Sequence, residues 1–321
     1  MDNKINVRLL SMVGQGGSAF GIGLMNLMEK RDDIVVLSPD MSTPAGLDKF
    51  KAAYPERFIN VGIAEQNMIG MAAGLADEGF KPICVAQACF ITMRSFEPIR
   101  QYCGYMELPI VLVGIGSGFS LQYMGNTHYA LEDIALMKTV PGMVIEAPCD
   151  SLEAMKSLEA AVDSNQPVYI RMFGGTGIPT VHQDNINYEM GKAINIRDGK
   201  DVCIVATGSM VNNALQASKQ LSEEKGIECK VLDMHTIHPL DVESIKGLVN
   251  YKLIVTVEEH RDVGGLGSSV RDAMADVKNT PPHISMAVQQ AYPAPGSYPY
   301  MLKEVGLDVE NIVKTVINNM P

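Results

Sequence analysis

The chain has 321 residues, with 26 Lys and Arg against 37 Asp and Glu, a formal charge of −11, and 46% apolar and 20% charged residues. That composition belongs to a folded chain long enough for two compact domains, not to a disordered or fibrous one. An acidic balance without any cluster of Lys and Arg excludes a protein that grips nucleic-acid phosphates through counterion release.

At the N-terminus, Met1-Asp2-Asn3-Lys4-Ile5-Asn6 lacks the basic run and apolar block of a secretory signal, and no apolar run approaches the ~20 residues of a membrane span. A cytoplasmic chain with no membrane partner is expected. Short β-branched runs then alternate with segments of helical period. Ile34–Leu37 ends at Ser38-Pro39-Asp40, Phe58–Val61 at Gly62, Ile83–Ala86 at Gln87 and Ile110–Val113 at Gly114. Continuously apolar strands of this kind fit a parallel sheet covered on both faces. Val144–Glu146 and Val168–Arg171 are two further strands, and between them Asp150-Ser151-Leu152-Glu153 predicts an N-cap and acidic first turn of a helix running to about Ser164. The 29 glycines suit the many strand-to-helix turns such a pattern needs.

From Phe173 to Gly191 the pattern lapses into Gly, Pro, Asn and Asp, which predicts a linker. The rhythm restarts with Val202–Ala206, a helix from Asn213 to Lys225, Cys229–Asp233, a helix near Asp241–Val249, the strand Leu253–Val257, and Gly264-Gly265-Leu266-Gly267 leading into a helix from Ser268. The expected fold is α/β: two tandem doubly wound domains over residues 1–175 and 191–321, joined by a linker over 176–190, the second smaller and mostly parallel. Six cysteines, Cys84, Cys89, Cys103, Cys149, Cys203 and Cys229, form no CxxC pair, so buried reduced thiols are expected and no metal ligand set is read.

The segment Phe58-Ile59-Asn60-Val61-Gly62-Ile63-Ala64-Glu65-Gln66-Asn67-Met68 sets Glu65 directly after a strand, where open α/β sheets bind ligands. A glutamate there is either a solvated helix-start residue or a functional carboxyl. Gly62, Gly70 and Gly74 favour the second, by permitting close packing that would desolvate the carboxyl and raise its pKa toward neutrality. Phe90, Met93 and Phe96 follow the next strand at i, i+3 and i+6, the spacing of a helix stripe, for which core packing is the ordinary explanation. Gly114 to His128 is a Gly-rich stretch with no Lys and no dinucleotide fingerprint, which excludes a phosphate-loop NTPase and a nicotinamide site; its Asn126-Thr127-His128 end reads as an active-site edge or as a solvated loop.

Together these residues resemble a known family. Phe58 to Met68, the aromatic segment after the next strand, Gly125-Asn126-Thr127-His128 followed by Leu131–Met137, and Pro141-Gly142-Met143 to Ala147-Pro148 resemble the pyrimidine-binding domain of the transketolases. Ala206-Thr207-Gly208-Ser209, Thr236–Asp241, and Glu258-Glu259-His260 before Gly264-Gly265-Leu266-Gly267 resemble that family's C-terminal domain. The Gly-Asp-Gly that opens the family's metal-diphosphate motif is absent from the sequence. The resemblance therefore implies the second half of a split transketolase, inactive alone, sharing thiamine diphosphate with an N-terminal-half subunit that binds Mg2+ or a similar ion, in an assembly of two copies of each half.

The implied activity is transfer of a two-carbon ketol unit from a ketose to an aldehyde. The resemblance makes Glu65 the glutamate facing the pyrimidine nitrogen, whose hydrogen bond turns the cofactor's own amino group into the base for its thiazolium proton. It sets Phe90, Met93 and Phe96 around the aminopyrimidine, Met93 replacing an aromatic. Asp40 falls near the cofactor's amino group, His128 where substrate oxygens are bound, and Arg171 where a distal phosphate is gripped. Gly116, Met124, Pro44 and Gly17 depart from the family's substrate residues, which points to a modified donor such as a branched or sulfonated ketose. A beta-type subunit of a 2-oxoacid dehydrogenase, a deoxyxylulose-phosphate-synthase-like enzyme and a non-catalytic regulatory subunit are the alternatives. His182, His235, His238, His260 and His283 are expected to be structural, His260 being the one whose glycine-rich neighbour loop could reach an interface.

Overall fold

The apolar runs become central strands because both of their faces are covered. The computed structural model describes residues 14–15, 19–175, 178–183, 185–289 and 292–321. The Met1–Asn6 segment, Gly17 and the 176–177 part of the linker lie outside these. The first sheet contains β1 (Ile34–Ser38), β2 (Phe58–Asn60), β3 (Lys81–Gln87), β4 (Val111–Ile115), β5 (Val144–Glu146) and β6 (Val168–Met172), all parallel, in the order β5-β6-β4-β3-β1-β2. On one face α1 (Phe20–Met28) packs Phe20 and Leu24 with Val36, Val85 and Leu158. On the other, α2 (Glu65–Asp77) packs Met68, Ile69 and Ala72 with Leu37, Cys84 and Leu112. The helix foreseen after Asp150 is α3 (Ser151–Asp163), and Asp150 caps it, its Oδ1 accepting from Glu153 N at 3.0 Å.

The second sheet has five strands, β7 (Ile194–Arg197), β8 (Val202–Ala206), β9 (Cys229–Asp233), β11 (Leu253–Arg261) and β12 (His283–Val288), in the order β12-β11-β8-β9-β7 and parallel except for β7. Helices α4 (Met210–Lys225), α5 (Leu266–Met274) and α6 (Val309–Asn319) cover it. Two α/β sheets in tandem match the expected class, with one departure. Strand β10 (Thr236–His238) leaves the second half and pairs antiparallel with β5, becoming an edge of the first sheet. A three-residue strand pairing with residues 90 positions earlier carries no local periodicity, so the sequence pattern is silent on it. All six cysteines are free and buried, as expected. Among the described residues no helix is long and apolar enough to cross a membrane.

Strand β11 runs four residues beyond the expected Val257 because Glu258, Glu259, His260 and Arg261 are buried and find partners inside. Glu258 accepts from the backbone N–H groups of Leu266 and Gly267 at 2.6 and 2.8 Å, at the start of α5, while burial holds its carboxyl up at about 7. Glu259 accepts from Ser209 and Tyr298 of the second half and from Phe119 N of the first. Gly118 lets that carboxylate in: its φ is +58°, and a Cβ there would meet Glu259 Oε1 at 2.3 Å. Arg171, at the end of β6, donates Nε to Asp133 Oδ2 at 2.8 Å and Nη2 to the carbonyls of Ala130 and Glu259, each at 2.9 Å. One guanidinium thus fastens the first sheet, the 130–133 turn and the second sheet.

His260 keeps its imidazole neutral in this core. Its Nδ1 lies 2.8 Å from Arg261 O and its Nε2 accepts from Ala135 N at 3.4 Å, and burial pushes its pKa down to about 4. Two outcomes follow from these contacts. Arg171→Met leaves the Asp133 carboxylate buried without its cation and lowers the unfolding free energy by about 3–5 kcal/mol, read from urea midpoints at unchanged m-value. For His260, the unfolded imidazole takes its proton near 6.5 and the folded one near 4, so its contribution is complete above the first value and lost on acidification toward the second. Wild-type stability therefore falls more steeply than that of His260→Gln across that interval, by on the order of 1 kcal/mol per pH unit. Comparing the two proteins cancels the opposite trend of Glu258.

Candidate active site at the carboxyl ends of the first sheet

The segments that follow β1, β2, β3 and β4 converge at one edge of the first sheet and carry Asp40, Glu65, Phe90 to Arg94, and the loop ending in His128. Glu65 opens α2 and is only 4% exposed. Arg94 Nη1 donates to its Oε1 at 2.7 Å, and Gln66 Nε2 donates to Arg94 O at 2.9 Å, tying the start of α2 to the segment after β3. The Arg94 guanidinium also lies over the Phe90 ring, 4.1 Å from its centroid. Phe90 in turn meets the His128 ring edgewise, centroids 5.4 Å apart. Glu65, Arg94, Phe90 and His128 therefore form one continuous line of contact.

The middle of that line, Phe90 and Arg94, borders a cleft of about 690 Å³ whose lining also includes Met93, Asn126 and Thr127, while Glu65 and His128 stand behind it. The stripe expected at helical spacing is only partly realised. Residues Phe90–Arg94 wind as a π-helix, and Phe90, Met93 and Arg94 line the cleft together. Phe96 begins the next short helix, Phe96–Ile99, and packs against the core beneath α2, so it does not line the cleft. Arg94, which sequence reasoning passed over, is the residue that touches both Glu65 and Phe90. Its only signal was a lone cation in an otherwise apolar segment.

The glycine argument for burying Glu65 also changes. A Cβ on Gly62, Gly70 or Gly74 would meet nothing within 4 Å, so these glycines face open space and do not close over the carboxyl. Asp40 lies at the exposed turn after β1 with φ +60°, its Oδ1 accepting from Asn60 Nδ2 at 3.1 Å and its N–H donating to Asn60 Oδ1 at 3.0 Å. His128 stands on the loop, its Nδ1 2.9 Å from Thr127 Oγ1. Arg171 is elsewhere: the buried clamp described above occupies its Nε and Nη2, and a phosphate cannot reach a guanidinium enclosed between the two sheets.

Among the departures from the family pattern, Gly116 has φ +84° and a Cβ there would meet Leu121 Cδ1 at 2.9 Å, so the backbone itself refuses a larger residue at that position. Met124 and Pro44 are exposed, and Gly17 lies outside the described residues. A second cleft, of about 630 Å³, runs between Phe173-Gly174-Gly175 and the start of α6, and its one carboxylate, Asp308, is engaged in capping that helix.

Comparisons with known proteins bear on this arrangement. Residues 16–173 match the family described as transketolase, pyrimidine binding domain, and residues 191–312 that described as transketolase, C-terminal domain. The chain is 36% identical over 296 residues to a subunit of the apulose-4-phosphate transketolase of Phocaeicola vulgatus, covering 92% of this chain and 94% of that one. It is 32% identical over 293 residues to a subunit of the 6-deoxy-6-sulfo-D-fructose transketolase of a Clostridium species, strain MSTE9, covering 91% and 90%. A solved structure described as a split gene transketolase, inactive beta4 tetramer, superposes with a TM-score of 0.86 at 35% identity, over 94% of this chain and 97% of that one. The 1-deoxy-D-xylulose-5-phosphate synthases match as well, that of Gloeobacter violaceus at 33% identity over 93% of this chain and 47% of its own length.

Proposed function

The chain belongs to the transketolase family, and we propose that it is the subunit carrying the pyrimidine-binding half of a thiamine diphosphate-dependent enzyme that moves a two-carbon ketol unit from a ketose to an aldehyde. The observation that carries this reading is the buried carboxylate of Glu65, joined to His128 through Arg94 and Phe90, two residues that line an open cleft. Residues 1–175 are then the pyrimidine-binding domain and 191–321 the C-terminal domain, with 176–190 between them.

The residues present fit the aminopyrimidine part of the cofactor: a carboxylate protected from water, a ring face and a thioether at one cleft, and Asp40 at the neighbouring strand end. Relatives of the same extent are named as transketolase subunits and as part of a split gene transketolase, which supports leaving the Mg2+ and diphosphate to a partner subunit. When bound, the cofactor supplies a nucleophilic carbon that breaks the bond beside a ketose carbonyl and hands the two-carbon piece on. In this chain Glu65 would hydrogen-bond the ring nitrogen of the bound cofactor, and Arg94 holds its carboxylate in place. Phe90 and Met93, which line the cleft, would hold the ring between them. His128 hydrogen-bonds substrate oxygens from the loop edge. Arg171 has no place in substrate binding.

A relative described as an inactive beta tetramer supports a half that associates with itself and lacks activity without its partner. Relatives named for a sugar phosphate and for a sulfonated ketose support a modified ketose as donor. The 1-deoxy-D-xylulose-5-phosphate synthase matches favour a second reading, in which the same Glu65 serves decarboxylation of an oxoacid.

Combined with its partner subunit, thiamine diphosphate and Mg2+, the wild-type chain is expected to move a two-carbon unit between a ketose and an aldehyde, and Glu65→Gln to lower kcat by roughly 10²–10⁴-fold. Coupled assay of the aldose released by the ketose donor gives the rate, and circular dichroism confirms the fold. Full turnover by the variant removes Glu65 from the chemistry. Carbon dioxide released from an oxoacid without ketol transfer establishes the second reading, and turnover by the chain alone refutes the divided enzyme.

A further inference from the structure

Four buried side chains that the proposed reaction does not use meet near the opposite edge of the first sheet from Glu65. Cys149 follows β5, Glu153 lies in the first turn of α3, His182 comes from the linker, and Asp233 ends β9. Their donor atoms all lie within 4.8 Å of one another. His182 Nε2 is at the middle of the group, 3.5 Å from Glu153 Oε1, 3.6 Å from Asp233 Oδ2 and 3.5 Å from Cys149 Sγ.

To a carboxylate oxygen these distances are too long for good hydrogen bonds, which lie near 2.7–3.2 Å. They match the three edges that meet at one corner of a metal's ligand tetrahedron, with His182 Nε2 as that corner. Zinc bonds of about 2.0 Å to nitrogen or oxygen and 2.3 Å to sulfur separate neighbouring ligand atoms by about 3.3–3.7 Å. Among the described residues, Glu153 Oε1 and both oxygens of Asp233 are buried without a hydrogen-bond partner. The other Glu153 oxygen accepts from Cys149 N at 2.6 Å, which turns Oε1 toward the group. Asp150 arranges the surroundings: one oxygen accepts from Glu153 N, the other from the N–H groups of Val181 and His182 at 3.0 and 2.9 Å. One outer carboxylate thus fixes two of the four members.

We propose that Cys149, Glu153, His182 and Asp233 bind a zinc ion in a closed structural site that ties the linker and the second sheet to the first. One thiolate, one imidazole and two carboxylates make a borderline donor set suited to zinc, with no position left for substrate. Binding sends the Cys149 thiol proton and any proton on the His182 ring to solvent. The competing occupant is a proton. Burial opposes charge on His182, but Asp233 and Glu153 outweigh it and hold the imidazole at about 10, so an imidazolium can answer the two carboxylates instead.

The test uses the full-length chain purified without chelator from zinc-supplemented cells. Elemental analysis is expected to give about one zinc per chain. The chelator-stripped chain is expected to take up Co2+ with a thiolate-to-cobalt charge-transfer band, absent in Cys149→Ser. Added zinc raises its thermal midpoint, and Asp150→Ala weakens zinc binding by roughly 10–100-fold. A wild-type chain that retains no zinc and binds neither ion overturns the proposal, with a protonated His182 in the nuclear magnetic resonance spectrum identifying the occupant. A charge-transfer band that survives Cys149→Ser overturns it equally.

Discussion

Arg171 carries a positive charge where water does not reach, and the architecture around it follows from the need to answer that charge. A buried cation requires an anion in good geometry and acceptors for its remaining N–H groups. Asp133 supplies the first, and the carbonyls of Ala130 and Glu259 supply the others. Those acceptors come from the turn after the glycine-rich loop and from β11, so satisfying one side chain fixes the second sheet against the first and holds the stem of the loop that ends at His128. Tyr169 adds a hydroxyl bond to the same Asp133 oxygen at 2.8 Å. The cleft at the carboxyl ends of β2, β3 and β4 inherits its shape from this arrangement.

What the sequence makes legible is whatever rests on short-range pattern. The central strands of the first sheet are continuously apolar because both faces are buried, and Asp150 announces its helix because capping is local chemistry. Glu65 stands out because it directly follows a strand. The residues misread share another property: their roles are set by partners far along the chain. Arg171 looks like a cation at a strand end until Glu259, 88 residues on, closes over it. Arg94 reads as an interruption in an apolar stripe until Glu65, 29 residues earlier, accepts from it. Phe96 leaves the cleft because the helix breaks at Ser95 and a new one starts at Phe96, packing its ring on the core, and no propensity scale encodes that break. Cys149 and Glu153 lie four residues apart, but His182 and Asp233 come from two further stretches, 29 and 80 residues beyond Glu153, and no spacing motif joins the three.

Carboxylates in this molecule divide by what faces them. Glu65 has a cation, Arg94, that lines an open cleft, which is the setting for chemistry. Glu258 and Glu259 have backbone N–H groups and hydroxyls on every side, which is the setting for architecture. Burial alone does not separate the two kinds, since all three are enclosed. The distinction lies in the partners: Glu65 is held by one side chain, Arg94, that itself lines an open cleft, whereas Glu258 and Glu259 are held by groups enclosed in the core.

Strand β10 bears on how such a chain can be divided. The β5 edge of the first sheet is covered by residues 236–238, which belong in sequence to the second half. Cutting the chain in the linker would strip that cover and leave β5 with a bare row of backbone donors and acceptors, a template for pairing with other chains. The two α/β units look modular in their folds, but each is completed by the other. Recombination that exchanged one unit for a relative's would have to carry β10 along with the first sheet.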